Sequence, residues 1–173
     1  SLTFLSLIPA FAQDKYKITN SSVRFFSSTP VEDIEAENKG TLGILDTKTG
    51  NFSVRVPISE FKFRSTLMED HFNENYMESG KYPNATFKGT IKDALNFSKD
   101  GVYQIIADGD FETHGVVQKR QIPITITVEK GVIRYETAFK VKLEDHQIKV
   151  PTVVFAKIAE VIDVKLNGEL QKI

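Results

Sequence analysis

The sequence predicts an all-β fold, an antiparallel barrel of about eight strands with one short helix near residues 66–78. Three observations carry that expectation. Apolar side chains recur at every second position through most of the 173 residues, the period of a strand with one wet and one dry face. Turn-forming Gly, Asn, Asp and Ser clusters separate these runs at short spacing. Only one stretch, Ser65 to Ser79, changes to spacings of three and four. A chain of consecutive antiparallel strands closes into a barrel or folds over as a sandwich. Runs longer than the usual five or six residues favour a tall barrel.

In chain order, Lys15–Thr19 and Val23–Ser28 read as two short strands with Asn20-Ser21-Ser22 as the turn between them. Val31 to Asn38 is acidic and fits an outward-facing edge strand or a single helical turn. Thr41–Asp46 is a strand, closed by the turn Asp46–Asn51. Phe52, Val54, Val56 and Ile58 alternate with polar neighbours, and the phase slips at Ser59-Glu60, which marks a bulge or a strand end. Leu67, Met68, Phe72, Tyr76 and Met77 then form the apolar side of a helix, capped by Ser65 or Thr66 and ended by Gly80. One short helix cannot cover a sheet, but it can cover one end of a barrel.

Strands resume at Ala85–Ile91. The longest regular stretch is Val102 to Val128, read as a hairpin with the connection His114–Arg120. Ile122, Ile124, Ile126 and Val128 share one phase there. Gly109, within the phase of Tyr103, Ile105, Ala107 and Phe111, suggests a bulge or bend. Val132–Leu143 alternates throughout, Glu144 to Pro151 is a loop, and Ile158–Leu170 is the last strand. No repeat or linker divides residues 13–173, which read as one domain.

Composition narrows function. Lys plus Arg number 22 and Asp plus Glu 23, for a net charge of -1, which argues against nucleic acid or an anionic membrane surface as the main partner. Cysteine is absent, so disulfides and thiol nucleophiles are excluded. Ser1–Ala12 is uncharged and apolar, ends in Ala10-Phe11-Ala12, and reads as the remnant of a secretory signal, which implies a periplasmic or secreted protein. It is too short to span a bilayer, so no stable membrane insertion is expected.

Catalytic signals are poor. There is no Gly-x-Ser-x-Gly elbow and no phosphate-cradling Gly loop, and His71, His114 and His146 have the spacing of no zinc motif. No catalytic residue, metal site or cofactor is nominated. An enzyme using these histidines with nearby carboxylates such as Glu69-Asp70 and Glu144-Asp145 is the alternative. Lys119-Arg120 reads first as a wet turn and second as a partner for an anionic head group at a barrel mouth. The inward phases nominate Phe25 (or Phe26), Phe52, Val54, Val56, Phe87, Ile105, Phe111, Ile122, Ile124, Ile126, Tyr135 and Phe139 as residues lining a ligand. The same residues would also build a plain filled core, and periodicity alone favours the core.

Two motifs carry a resemblance. Lys81-Tyr82-Pro83-Asn84-Ala85-Thr86-Phe87 follows the helix, and Gly109-Asp110-Phe111-Glu112-Thr113-His114-Gly115-Val116 leads into an apolar strand. With His71-Phe72, this order resembles the YceI-like family of lipid-binding proteins over nearly all of the chain after Lys15. The resemblance implies a lipocalin-like barrel in the periplasm. It further implies an apolar tunnel that binds a polyprenyl lipid or a quinone tail without chemistry, and homodimers. The acidic Val31–Asn38 segment and the helix are the candidate interaction surfaces. Three positions depart from the family pattern: Glu69-Asp70 for Arg-Asp, Glu144-Asp145 for Asn-Arg, and Phe111 for Leu.

Overall fold

The computed structural model describes residues 14–150 and 158–173; the segment read as a signal remnant lies outside them, as does Pro151. Ten strands form one closed antiparallel sheet. They are β1 (Lys15–Ser28), β2 (Asp33–Asn38), β3 (Leu42–Asp46), β4 (Asn51–Pro57), β5 (Lys62–Phe63), β6 (Asn84–Ile91), β7 (Gly101–Thr113), β8 (Val116–Glu129), β9 (Val132–Lys142) and β10 (Val161–Lys172). β2 and β3 run along β1 in one unbroken register, so they act as a single stave interrupted at residues 39–41. β4 and β5 make another, broken by a 3-10 turn at Ile58–Glu60. The barrel is therefore eight-staved, each stave pairs with its neighbours in sequence, and β10 closes on β1.

The first stave corrects the sequence reading. Lys15–Ser28 is one strand, and Asn20-Ser21-Ser22 is a bulge in it, where the register with β10 shifts. Asn20 takes a left-handed φ of 50°, which Asn tolerates better than most residues. The extra residue exchanges faces: Tyr16 and Ile18 point inward before it, Val23 and Phe25 after it. The acidic segment is also wall, not an appendage. In β2, Ile34, Ala36 and Asn38 are buried while Asp33 and Glu35 face solvent. Asn38 is fully buried; its amide donates to the Pro57 carbonyl at 2.7 Å and its Oδ1 accepts from the Gly40 N–H at 2.8 Å.

The helix α1 (Thr66–His71) begins as expected, with the Ser65 hydroxyl accepting from the Met68 N–H. It then widens into a π-helical turn over Phe72–Tyr76, closed by the Met77 N–H donating to the Phe72 carbonyl at 2.9 Å. The residue that ends it is Glu78, at φ 49°, and not Gly80. The π turn brings Tyr76 and Met77 onto the barrel end, where both are buried.

The central hairpin is tighter than its sequence suggests. His114 and Gly115 alone form the turn, both at positive φ, as two-residue hairpins prefer; Val116–Arg120 is already strand. Gly109 marks no bulge, since β7 pairs with β6 and β8 in continuous register. The last strand starts at Val161, with Ile158 just ahead of it.

Candidate functional site

The inward faces of the staves enclose two apolar cavities of about 160 and 120 Å³. Phe111, Phe139 and Leu166 line both, and so form the partition between them. The Phe111 and Phe139 rings meet edge to face at 6.1 Å, an arrangement ring quadrupoles favour. The interior is thus not a filled core: apolar space lies on both sides of these side chains.

All of the nominated residues face this interior, with Phe25 and not Phe26 as the inward member of its pair. Phe25 and Val56 line the larger chamber. Phe52, Val54, Phe87, Ile105, Ile122, Ile124, Ile126 and Tyr135 line the smaller, and Phe111 and Phe139 line both. Phe26 stands outside, 37% exposed.

Sequence reading missed the closed end of the larger chamber. There Phe25, Phe61 and Phe72 pack ring against ring at 5.2–5.7 Å, and Phe63 joins through Phe25 and Phe72. Tyr76, Met77, Leu143, Ile148 and Ile158 complete it from the π turn and the loops beside β10. The helical spacing of Phe72, Tyr76 and Met77 was visible, but which barrel end they would cover was not.

Polar groups concentrate at the same end. His114 and His146 come together there; His71 does not join them, its Nδ1 lying 3.2 Å from the Asn75 side-chain oxygen. His114 uses both ring nitrogens: Nδ1 meets the His146 carbonyl at 3.0 Å and Nε2 the Glu78 carboxylate at 2.7 Å. His146 is almost fully buried, with Nδ1 at 2.9 Å from the Val116 carbonyl. Burial holds its imidazole below the usual histidine range. These contacts tie three loops together: the segment after the π turn, the β7–β8 turn and the turn at Leu143–His146. Tyr82 completes the knot, with its ring against His114 at 4.8 Å. A Cβ on Gly115 would lie 2.5 Å from that ring, so the Tyr-Pro and His-Gly motifs, distant in sequence, are one packing unit.

Among the described residues no cluster of His, Cys, Asp or Glu is suited to a metal ion, and no helix is long and apolar enough to cross a membrane. In the smaller chamber the Tyr135 hydroxyl is buried without a hydrogen-bond partner, and burial pushes its phenol up to about 12.

The family model of the YceI-like domain matches residues 15–170. No curated protein matches the chain. Among solved structures, it is similar to a polyisoprenoid binding domain from Saccharophagus degradans implicated in plant cell wall breakdown. That match has a TM-score of 0.78 at 12% identity and covers 91% of this chain and 98% of that one. Burkholderia cenocepacia BcnA matches with a TM-score of 0.71 at 15% identity, over 87% and 96% of the two chains. A Campylobacter jejuni YCEI protein matches at 0.62 and 16%, over 84% and 90%.

Proposed function

The chain belongs to the YceI-like domain family, and on that footing we propose that it binds an apolar lipid inside the barrel and carries it unchanged. The ligand proposed is an isoprenoid-type chain, a polyprenyl or quinone tail. One observation supports this most: two apolar chambers end to end, divided only by side chains. A cavity of about 150 Å³ accommodates benzene, so each chamber suits one or two branched five-carbon units. A longer chain has to thread past Phe111 and Phe139. Burial would contribute about 2.5 kcal/mol for every ~100 Å² of ligand surface, which needs few directed polar contacts and leaves little motif in the sequence.

The polar groups at the closed end favour binding over catalysis. Both ring nitrogens of His114 are engaged, by Glu78 and the backbone of residue 146, and Nδ1 of His146 is engaged by the Val116 carbonyl. The test is native mass spectrometry of protein purified without detergent, followed by addition of polyprenols and quinones. Adducts of lipid mass, displaced by a second lipid, are expected; a clean protein mass with no uptake would overturn the proposal. Homodimers, and a location in the periplasm or outside the cell, belong to the same proposal. The location rests on the apolar Ser1–Ala12 run. Sedimentation at micromolar concentration checks the first, and fractionation of expressing cells the second.

A further inference from the structure

The barrel wall is not evenly laced. β7 and β8 pair along their whole length, and β9 pairs with β10 from Ile133 to Lys142. Between β8 and β9, however, the ladder runs only from Glu129↔Val132 to Thr125↔Glu136. Beyond that point the first half of β8 and the second half of β9 share no register. Pro123 stands where the ladder stops. A two-residue hairpin closes on a hydrogen-bonded pair, here Thr113↔Val116, so even-numbered β8 residues bond to β7 and the odd-numbered ones face β9. Proline therefore removes a donor from the β9 side alone. Its carbonyl is taken instead by the Thr137 hydroxyl at 2.7 Å. Farther on, side chains replace the ladder: Gln118 Nε2 donates to the Asp145 carbonyl at 2.8 Å, and His146 bonds Val116.

Arg120 lies in this seam. It shares the inward phase of Ile122, Ile124 and Ile126, is half-buried, and its register partner on β7 is Gly109, which has no side chain. Its guanidinium sits 5.3 Å from the centre of the Phe139 ring, one of the side chains dividing the two chambers. Among the described residues it forms no ion pair, whereas neighbouring Lys119, on the outer face, pairs with Asp110 at 3.1 Å. A half-buried guanidinium with a free fork beside an apolar cavity suits a carboxylate or phosphate, which it can take up through two parallel hydrogen bonds.

We propose that the β8–β9 seam is a lateral head-group site, where Arg120 binds the anionic group of a single-chain amphiphile whose tail lies in the chambers past Phe139. This rests on the lipid-binding reading and narrows it: the preferred ligand is an acid or a phosphate ester rather than a neutral alcohol. The shared chemistry is an oxyanion on an apolar chain.

The experiment measures displacement of a neutral fluorescent apolar probe by matched pairs of ligands: farnesyl phosphate with farnesol, and palmitate with hexadecanol. The intact protein should bind an anionic member at least about tenfold more tightly than its alcohol, the size of one charge-assisted hydrogen bond. Whether the phosphate or the carboxylate pair shows the larger ratio tells the two sources apart. Arg120→Ala should abolish the preference and leave alcohol binding intact, Arg120→Lys should keep part of it, and Lys119→Ala should change nothing. Equal affinity of acid and alcohol for the intact protein, or a preference that survives Arg120→Ala, overturns the head-group site while lipid binding stands. If no ligand of either kind displaces the probe, lipid binding itself falls, and this site with it. Retained alcohol binding by Arg120→Ala certifies its fold; were it lost, the preference of the intact protein and its change in Arg120→Lys decide.

Discussion

Gly89 and Gly109 stand opposite each other across β6 and β7, each too close to the other strand to carry a side chain. A Cβ on Gly89 would lie 2.0 Å from the Asp108 carbonyl oxygen, and one on Gly109 2.2 Å from that of Lys88. The approach is between backbones, so no side chain can turn aside to relieve it. Gly109→Ala should therefore destabilise by about 1–3 kcal/mol, the usual cost of overpacking. Gly89→Ala should cost the same, and the double variant less than the two combined, because both push apart the same strands. Gly80→Ala is the control: a Cβ there would meet nothing within 4 Å, and no loss is expected. Chemical denaturation of the four proteins checks the set.

Two isoleucines of one strand should respond differently to a charge. Ile126 is 2% exposed, and an aspartate there buries an unpaired carboxylate, costing several kcal/mol of the ~5–15 available to a domain. Ile126→Asp should not fold stably. Ile124 is half-buried beside the unpaired seam, so Ile124→Asp should keep some hydration, retain the fold with a lower melting temperature, and lose lipid uptake. Melting curves of delipidated protein, set beside uptake, decide; equal loss of fold in both would show that the smaller chamber is sealed from water.

Phe111 divides the chambers. Phe111→Ala should join them, at a cost of about 3 kcal/mol or less because the ring is half-buried. Uptake of neutral alcohols of increasing length should shift toward longer chains. An unchanged length preference would mean that Phe139 and Leu166 alone set the limit.

The alkaline limb of stability should report Tyr135. Its folded phenol stays protonated to about 12, against 10 in the unfolded chain. Stability is then fully present below pH 10 and falls as pH rises from 10 through 12, by about 3 kcal/mol from this group. Tyr135→Phe should flatten that limb in pH-dependent denaturation and, because the hydroxyl has no partner to lose, cost little at neutral pH.

Most of the wall was legible because alternation survives wherever a strand is regular: Ile122, Ile124 and Ile126, or Tyr135 and Phe139, point inward for no reason beyond their spacing. Legibility failed where a local device reset the phase. Asn20 in a left-handed conformation made one strand look like two. In β2 the inward positions are held by Ile34, Ala36 and a hydrogen-bonded Asn38, so no apolar rhythm shows against the acidic outer face. The chamber roof eluded reading for another reason. Phe61, Phe72 and Met77 are apolar in sequence, but only closure of the barrel decides which end they cover. Pro123 could be seen; the strand it fails to bond could not.

The bulge at Asn20 and the gap at residues 39–41 face each other across β1, and the pairing on either side keeps one register. Chain length on this flank is therefore a coupled quantity. Deleting Asn20 alone would put Tyr16, Ile18, Val23 and Phe25 in one regular phase along β10 but leave β2 and β3 one residue too long opposite β1, so that flank must bulge or turn Leu45, or Ile34 and Ala36, outward. Losing one residue from each strand keeps their pairing, so a change of length here is absorbed best when it is matched on both.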